Sequence, residues 1–334
     1  MRLCIFSNYG GYLDEGMGNI AFALHRELEK RHTVLHVKLN IFSLLSPGFW
    51  IKVRLFHPEI IHYIPGPSIL SLIILKLLKC YCRNVKTIST ATQPNIVILP
   101  GFLMRLLIPD LVITQSLNSE KLFRSIGCNT ISVPNGVDSN KFVPVIREDK
   151  IALRKKYDFP QNMFIALHVG PIKKGRNVEL LAALNQGQSV QIAIIGSITN
   201  SMDRKVYKNL ISAGCMVMRQ YFEHIEELYA LSDCYLFPTE HKKHCIEIPL
   251  SVLEAMSCNL PVISTKYGGL MKFFSESNGL YFVDEMHDFA FLLSNIKTEK
   301  TINTREKVLS FSWANIAKTL ENIYIEITGC SQNE

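Results

Sequence analysis

Short apolar runs alternate with longer amphipathic stretches along the whole chain. Short apolar runs are typical of strands buried in a parallel sheet, and amphipathic stretches between them are typical of crossover helices. The alternation therefore predicts βαβ units. In the first half the predicted strands are 3–7, 34–39, 60–64, 86–90, 111–114 and 130–133, and the clearest helices are 18–30 and 68–82.

The alternation restarts after a charged stretch that begins near Pro144 and predicts a linker. Strands are predicted at 164–169, 192–196, 216–219, 235–238 and 262–265, and helices at 224–232, 249–257 and 312–327. We therefore expect an α/β protein with Rossmann-like domains at 1–145 and 146–311. A C-terminal helix, 312–334, is expected to pack back on the N-terminal domain. Ligands of such sheets bind outside the carboxyl ends of the strands.

Composition and charge exclude several classes of protein. The chain has 334 residues, 48% hydrophobic and 19% charged, which excludes a disordered or fibrous protein. Its net charge of +7 lies entirely in residues 1–145, which hold 15 Lys and Arg against 8 Asp and Glu. An anionic partner is therefore expected: a membrane surface, a phosphorylated acceptor or a nucleic acid. The basic stretches are embedded in Leu and Ile rather than in aromatic residues, which disfavours nucleic acid.

Nothing in the chain predicts a metal, a prosthetic group or a membrane span. The nine cysteines form no C-x-x-C pair, and His241 and His244 are better explained as a solvated loop than as metal ligands. The N-terminus has no signal-peptide pattern, and no apolar run is long enough to cross a bilayer. We expect a cytoplasmic protein, peripheral on the inner face of the cell membrane in one interpretation.

The most informative stretch is 246–256, which follows a predicted strand and opens a helix. Pro249 suits the first turn of a helix, and the free amides at Leu250 and Ser251 would form an anion site. Glu247 precedes that turn and Glu254 lies further along the helix. Two carboxylates around an anion site suit a phosphate flanked by two polyols, as in a nucleotide sugar. An amphipathic helix with two solvated glutamates is the alternative.

Five stretches, in the right order, resemble the retaining GT-B glycosyltransferases, also called glycosyl transferases group 1. They are the glycine loop 15–18 (EGMG), the hinge-like 133–138 (VPNGVD), the basic loop 169–176 (VGPIKKGR), the lead-in 227–238 and the paired-glutamate motif 247–263 (EIPLSVLEAMSCNLPVI). The resemblance implies two Rossmann-like domains with parallel sheets facing across a cleft. It also implies that the N-terminal domain handles the acceptor and the C-terminal domain binds the nucleotide-sugar donor.

The resemblance also implies residue roles. Lys174 and Arg176 would meet the pyrophosphate, Glu254 the ribose hydroxyls, and Glu247 the transferred sugar. The backbone of the glycine loop and the basic loop, together with the start of the helix, would complete the donor site: Gly16, Gly18, Gly170, Pro249, Leu250 and Ser251. Neither a metal nor another cofactor would be required.

Three departures from the family pattern stand out. The glutamates are seven rather than eight positions apart, with Ile246 at the usual first acidic position. Pro171 stands where an arginine is usual, so Arg176 is the expected substitute. The histidine common after the fourth strand is absent, which leaves Gln93 or Thr92 as candidates to position the acceptor.

The sequence thus predicts a retaining transfer of sugar from a nucleotide sugar to a lipid-linked or glycan acceptor. A catalytically degenerate, membrane-associated nucleotide-sugar-binding protein is the alternative. A nicotinamide-dependent dehydrogenase fits the fold but lacks the glycine fingerprint. Three stretches mix bulky apolar and basic residues: 49–56, 75–79 and 102–107. We expect 49–56 to lie in a membrane interface and 75–79 to be a buried crossover helix.

Overall fold

The chain folds into two compact units. The computed structural model describes residues 1–7, 15–38, 46–96, 99–185, 189–297 and 301–329, apart from the side chains of residues 242 and 286. The first unit comprises Met1–Asn135, Ile246–Ile248 and Trp313–Glu334, and the second comprises Gly136–Cys245 and Pro249–Ser312. The predicted linker around Pro144 therefore lies inside the second unit.

The first unit is built on a six-stranded parallel sheet. Its strands are β1 (Arg2–Ser7), β2 (Thr33–Lys38), β3 (Ile60–Tyr63), β4 (Lys86–Thr90), β5 (Leu111–Thr114) and β6 (Thr130–Ser132), in the order β2-β1-β3-β4-β5-β6. The helices between them are α1 (Gly16–Leu28), α2 (Pro47–Phe56), α3 (Ile69–Tyr81), α4 (Gly101–Leu107) and α5 (Leu117–Ser125). Leu39, predicted to end the second strand, lies outside the described residues.

The C-terminal helix Trp313–Thr328 belongs to the first unit, where it packs against α1. One anchor is the buried imidazole of His62 on β3. Its Nδ1 lies 2.7 Å from the Tyr324 hydroxyl and its Nε2 lies 2.6 Å from Thr90 Oγ1. Burial lowers the pKa of His62 to about 3, so this side chain stays neutral. The buried hydrogen bonds tie the helix to the centre of the sheet.

The second unit has a sheet in the order of a Rossmann fold. Its strands are β7 (Phe164–Val169), β8 (Val190–Ile195), β9 (Met216–Met218), β10 (Cys234–Phe237), β11 (Val262–Thr265) and β12 (Leu280–Val283), in the order β12-β11-β10-β7-β8-β9. The α-helices are α6 (Arg147–Lys156), α7 (Arg204–Ser212), α8 (Ile225–Ala230), α9 (Leu250–Ser257), α10 (Leu270–Phe273), α11 (Met286–Ile296) and α12 (Thr304–Leu309).

These two sheets confirm the predicted α/β class, because every strand pair in both is parallel. The sequence prediction missed β12, a run of four residues that lies between the turn at Gly279 and Asp284. The strands of the second unit form its core, where Ala166, Ile194 and Leu236 are all buried. Their apolar character explains why the strand signal was strong: both faces of a parallel sheet are covered.

Candidate active site

In the second unit the strand order reverses between β7 and β10, and the loops that follow these strands carry several predicted site residues. A ligand crevice forms at such a reversal. The Tyr235 hydroxyl donates a hydrogen bond to the Val169 carbonyl at 3.3 Å, and it is also hydrogen-bonded to the Ser251 side chain. The end of β7 and the start of α9 are therefore held together by one buried tyrosine.

The loop after β7 presents the two predicted cations. Lys174 is exposed and, within the described part of the chain, has no ion-pair partner. Arg176 donates from Nε to the His244 carbonyl at 2.9 Å. Its guanidinium also lies close over Gly170, where an added Cβ would approach Arg176 Nη1 to 2.8 Å. Gly170 thus leaves room for the arginine at the end of the strand.

Beneath this loop lies His168, which sequence reasoning missed. Its Nδ1 is 2.9 Å from the Leu236 carbonyl, an acceptor, so Nδ1 carries the proton. Burial and the charge of Arg176 lower its pKa to about 4, although the hydrogen bond to Leu236 opposes them. The imidazole is therefore neutral at physiological pH, and Nε2 has no hydrogen-bond partner in the described residues. The only signal in the sequence is one polar residue within an apolar strand.

At the predicted anion site α9 begins one residue later than expected, so that Pro249 precedes the helix instead of opening it. Pro249 is extended and occupies the N-cap position, and the helix begins at Leu250. The first amides of a helix have no carbonyl partner within the helix, and the helix dipole adds positive potential there. Pro249 and Leu250 are buried and Ser251 is half-buried. The backbone at this turn is therefore suited to an anionic group.

Glu254 lies one turn further along α9. It is half-buried, and its Oε2 accepts a hydrogen bond from the Tyr229 hydroxyl at 2.7 Å. Burial raises the pKa of Glu254 to about 7, and repulsion from Glu226 adds to this, against the opposing effects of Tyr229 and the Lys141 cation. A partly desolvated carboxylate is stabilised by additional hydrogen-bond donors. The hydroxyls of a sugar are donors of this kind.

The histidine-containing loop is exposed, as predicted, but it also packs on the basic loop. An added Cβ at Gly175 would come within 2.1 Å of His244 Nε2, so the imidazole covers the glycine. The rings of His241 and His244 are 6.3 Å apart. Across the described ranges, no three His, Cys, Asp or Glu side chains are grouped as metal ligands would be. Through His244 this loop packs against Gly175 and accepts a hydrogen bond from Arg176.

The predicted glycine loop lies in the first unit, where it starts α1. Glu15 caps this helix, and its carboxylate accepts the Gly18 amide at 2.9 Å. An added Cβ at Gly16 would lie 3.0 Å from Ile246 Cδ1, so Gly16 is packed against that side chain. The Gly18 amide is thus already bonded in this structure, and its approach to a donor phosphate stays a prediction.

Glu247 also belongs to the first unit, with 6% of its surface exposed. Its two carboxylate oxygens accept hydrogen bonds from Ser116 Oγ at 2.8 Å and Ser119 Oγ at 2.7 Å. The two serines form the capping box of α5. The Glu247 amide donates to the Thr92 carbonyl at 2.7 Å. Its action on the transferred sugar stays a prediction. The S-x-x-S pattern at the start of α5 signals the capping box but not its pairing with Glu247.

The two candidates for acceptor positioning differ in burial. Thr92 is buried, and its hydroxyl donates to the Ile64 carbonyl at 3.1 Å. Gln93 is half-buried, and its backbone lies so close to Gly66 that an added Cβ there would be 2.0 Å from the Gln93 carbonyl oxygen. The Gln93 side chain is therefore the more accessible of the two.

The structure thus gathers one set of predicted residues in the second unit: Gly170, Lys174, Arg176, Pro249, Leu250, Ser251 and Glu254. It places Gly16, Gly18 and Glu247 in the first unit. Two Rossmann-like units with parallel six-stranded sheets define the chain as a protein of the GT-B fold class.

A family model matches just under half of the chain. Residues 149–308 match the family model described as Glycosyl transferases group 1. The matched region contains the basic loop and α9.

Curated relatives cover different parts of the chain. Sulfoquinovosyl transferase SQD2 of Arabidopsis thaliana is 27% identical over 250 residues, which are 70% of this chain and 48% of the relative. Alpha-galactosylglucosyldiacylglycerol synthase of Streptococcus pneumoniae is 28% identical over 144 residues, which are 39% of this chain and 36% of the relative. The chain therefore spans about half or less of the length of these relatives.

Solved structures share the fold over almost the whole chain. A glycosyltransferase from Rickettsia africae superposes with a TM-score of 0.77 at 16% identity, covering 99% of each chain. HepE of Anabaena in complex with UDP-glucose superposes with a TM-score of 0.68 at 16% identity, covering 98% of this chain and 97% of its own.

Proposed function

We propose that this protein transfers a sugar from a nucleotide-sugar donor to a lipid-linked or glycan acceptor, with retention of anomeric configuration. The family match over 149–308 supports the transfer of a sugar. The relative named as an alpha-galactosylglucosyldiacylglycerol synthase supports a lipid acceptor, and the relative named as a sulfoquinovosyl transferase supports the transfer of a sugar. The UDP-glucose complex of a protein with the same fold is consistent with a nucleotide-sugar donor.

One observation carries the donor assignment: Tyr235 joins the end of β7 to the start of α9. Its contacts with the Val169 carbonyl and the Ser251 side chain put the basic loop and the anion-binding turn at one edge of the sheet. A pyrophosphate there would meet the Lys174 and Arg176 cations together with the first amides of α9. Glu254, one turn along the helix, would accept hydrogen bonds from the ribose hydroxyls.

The same groups suit the chemistry of the transfer. As the bond from sugar to phosphate breaks, negative charge grows on the leaving pyrophosphate. Fixed cations and helix amides stabilise that charge where water is excluded. In a retaining reaction the leaving phosphate can itself accept the proton of the acceptor hydroxyl. We therefore propose that catalysis needs no metal, so that activity should survive chelation with EDTA.

The test is transfer or hydrolysis measured with a panel of nucleotide sugars. Glu254→Ala should weaken donor binding by about 1–3 kcal/mol, since the ligand hydroxyls would lose a buried partner. Glu247→Ala should lower kcat more than it raises KM if its carboxylate acts on the sugar. Turnover of no donor by the folded wild-type protein would reject the proposal and leave a nucleotide-sugar-binding protein.

A second pair of variants separates chemistry from support at Glu247. Ser116→Ala with Ser119→Ala keeps the carboxylate but removes the two hydroxyls that hold it. If Glu247 acts on the sugar, this double variant should retain more activity than Glu247→Ala. Equal losses in the two proteins, both folded by circular dichroism, would show that the hydrogen-bonded cluster as a whole is what matters.

We also propose that the protein works at the surface of an anionic membrane. Within the described ranges, every helix is too short or too polar to cross a bilayer. The net charge of residues 1–145, +7, would favour anionic headgroups. The acceptor would then be reached at the membrane surface.

A further inference from the structure

Three successive helices of the first unit expose large apolar side chains on one surface, which we call the apolar face. Leu55 of α2 is 71% exposed and Phe102 of α4 is 68% exposed. The apolar face comprises Ile51 and Leu55 on α2, Leu70, Ile73 and Leu77 on α3, and Phe102, Leu103 and Leu106 on α4. Such a group is unusual for a surface that meets only water, whereas isolated exposed apolar residues are normal.

The three helices form one continuous layer. They connect β2 to β3, β3 to β4 and β4 to β5, and all three crossovers move across the sheet in the same direction. Because such crossovers are right-handed, the helices lie on the same side of the sheet. Trp50 and Tyr81 pack edge to face at 5.7 Å between α2 and α3, and α3 also contacts α4. The apolar face is therefore one surface rather than three.

The exposed side chains are additional to a complete core. Val53 of α2, Leu75 and Leu78 of α3, and Met104 of α4 are buried toward the sheet. On α3 the exposed Leu70, Ile73 and Leu77 repeat at intervals of three and four residues, which places them on one stripe. The expectation of a buried crossover helix at 75–79 thus holds for one side of α3 only.

Charge identifies the partner of the apolar face. Lys52, Arg54, Lys76 and Arg105 are exposed on the same three helices. The sequence contains no Asp or Glu between Glu59 and Asp110, and none within α2. A second copy docked on this face by twofold symmetry would bring cations against cations. A surface with an apolar interior and anionic headgroups satisfies both kinds of side chain.

We propose that the apolar face docks on anionic lipid, with Phe102 and its neighbours in the acyl boundary and Lys76 and Arg105 among the headgroups. The inference rests on the proposed function, since it identifies the lipid surface as the source of a lipid-linked acceptor. It extends the expected interface from α2 to α3 and α4.

The test is flotation with vesicles of phosphatidylcholine alone or mixed in equal parts with phosphatidylglycerol, without donor or acceptor. The wild-type chain should float with the anionic vesicles only, and less so in high salt. Phe102→Ser should weaken partitioning about tenfold, because one buried phenyl ring is lost. Lys76→Glu with Arg105→Glu should weaken it about thirtyfold or more, since each cation near the surface contributes to binding.

Matched controls lie in the second unit. Phe291 on α11 is also 68% exposed, so Phe291→Ser makes the same change elsewhere and should not alter flotation. Arg204→Glu with Lys208→Glu on α7 is the corresponding charge control, because both side chains are exposed.

Three results would overturn the inference. The first is that the wild-type chain does not float with the vesicles. The second is that the control variants lose as much binding as the test variants, and the third is that the Phe102→Ser variant floats as well as the wild-type chain. Self-association that Phe102→Ser abolishes, in a protein that does not bind vesicles, would assign the face to a second copy instead. Because flotation requires no sugar transfer, a protein that floats but is inactive would retain the docking surface and lose only the proposed activity.

Discussion

We expect the Glu254 carboxylate to strengthen donor binding but to lower the free energy of unfolding of the ligand-free protein. The variant Glu254→Gln tests both effects. Burial raises the pKa of its carboxyl from 4.5 to about 7. Between these values the folded protein holds a proton that the unfolded chain releases. The free energy of unfolding therefore falls as pH rises from about 4.5 to about 7 and stays lowered above it. A glutamine has no charge to desolvate, and its carbonyl can still accept the Tyr229 hydrogen bond.

A difference of 2.5 pKa units corresponds to at most about 3 kcal/mol. Because the side chain is half-buried, water screens part of this, and we expect a gain of about 1–3 kcal/mol for Glu254→Gln at pH 8. The gain should be small near pH 4.5 and vanish below about pH 4, where most of the wild-type carboxyl is protonated in both states. Urea unfolding of the wild-type and variant proteins at several pH values measures the gain at pH 8 and its loss at low pH.

The same variant should bind the nucleotide sugar more weakly, since a neutral amide is a poorer acceptor for two hydroxyls than a carboxylate. The exposed Glu223 provides the control, and Glu223→Gln should change neither stability nor binding beyond about 0.5 kcal/mol. A stability difference for Glu254→Gln that is the same at pH 4.5 and pH 8 would refute the reasoning. So would a stabilised variant with unchanged donor affinity.

Three further predictions follow from other parts of the chain. Lys174→Met should lower kcat about 100-fold in steady-state kinetics. The control is Lys173→Met, which should change kcat much less, because Lys173 is half-buried and contacts Asn200. The pKa of His62 is lowered to about 3 in the folded protein. Below about pH 6.5 the unfolded chain therefore binds more protons than the folded protein, and the free energy of unfolding decreases as pH falls. His62→Gln should recover about 2 kcal/mol of that loss at pH 5 in urea unfolding, and an unchanged acid sensitivity would contradict it. Lys52→Glu with Arg54→Glu should weaken binding to anionic vesicles; a double variant that binds like wild type would restrict the docking surface to α3 and α4.

Much of the fold could be predicted because parallel strands buried on both faces are short apolar runs. The strand around Ile194 and the strand around Leu236 were found in this way, and both residues are fully buried. Strand β12 was missed; it lies at the edge of its sheet, and its two central residues are only partly buried. The basic loop and the start of α9 could be located because Gly170 and Pro249 mark, from local sequence alone, the end of a strand and the start of a helix.

Contacts distant in sequence could not be predicted. Glu247 meets Ser116 and Ser119, which lie 131 and 128 positions away, and no local pattern encodes that pairing. His168 is similar, since the carbonyl that its Nδ1 meets belongs to Leu236, 68 positions away. Periodicity also failed to show that α3 exposes one apolar stripe, since an apolar residue in a helix does not reveal which side the sheet covers.

The two glutamates, seven rather than eight positions apart, belong to different units. Ile246–Ile248 is bound to the first unit through its own backbone: the Glu247 amide donates to Thr92, and the Ile248 carbonyl accepts from Asn135 at 2.7 Å. Pro249 then caps a helix of the second unit. The position of Glu247 is therefore set by hydrogen bonds within one unit and that of Glu254 by a helix in the other. Sequence separation does not measure the distance between two carboxylates fixed in this way, so the missing residue need not displace either from its partners.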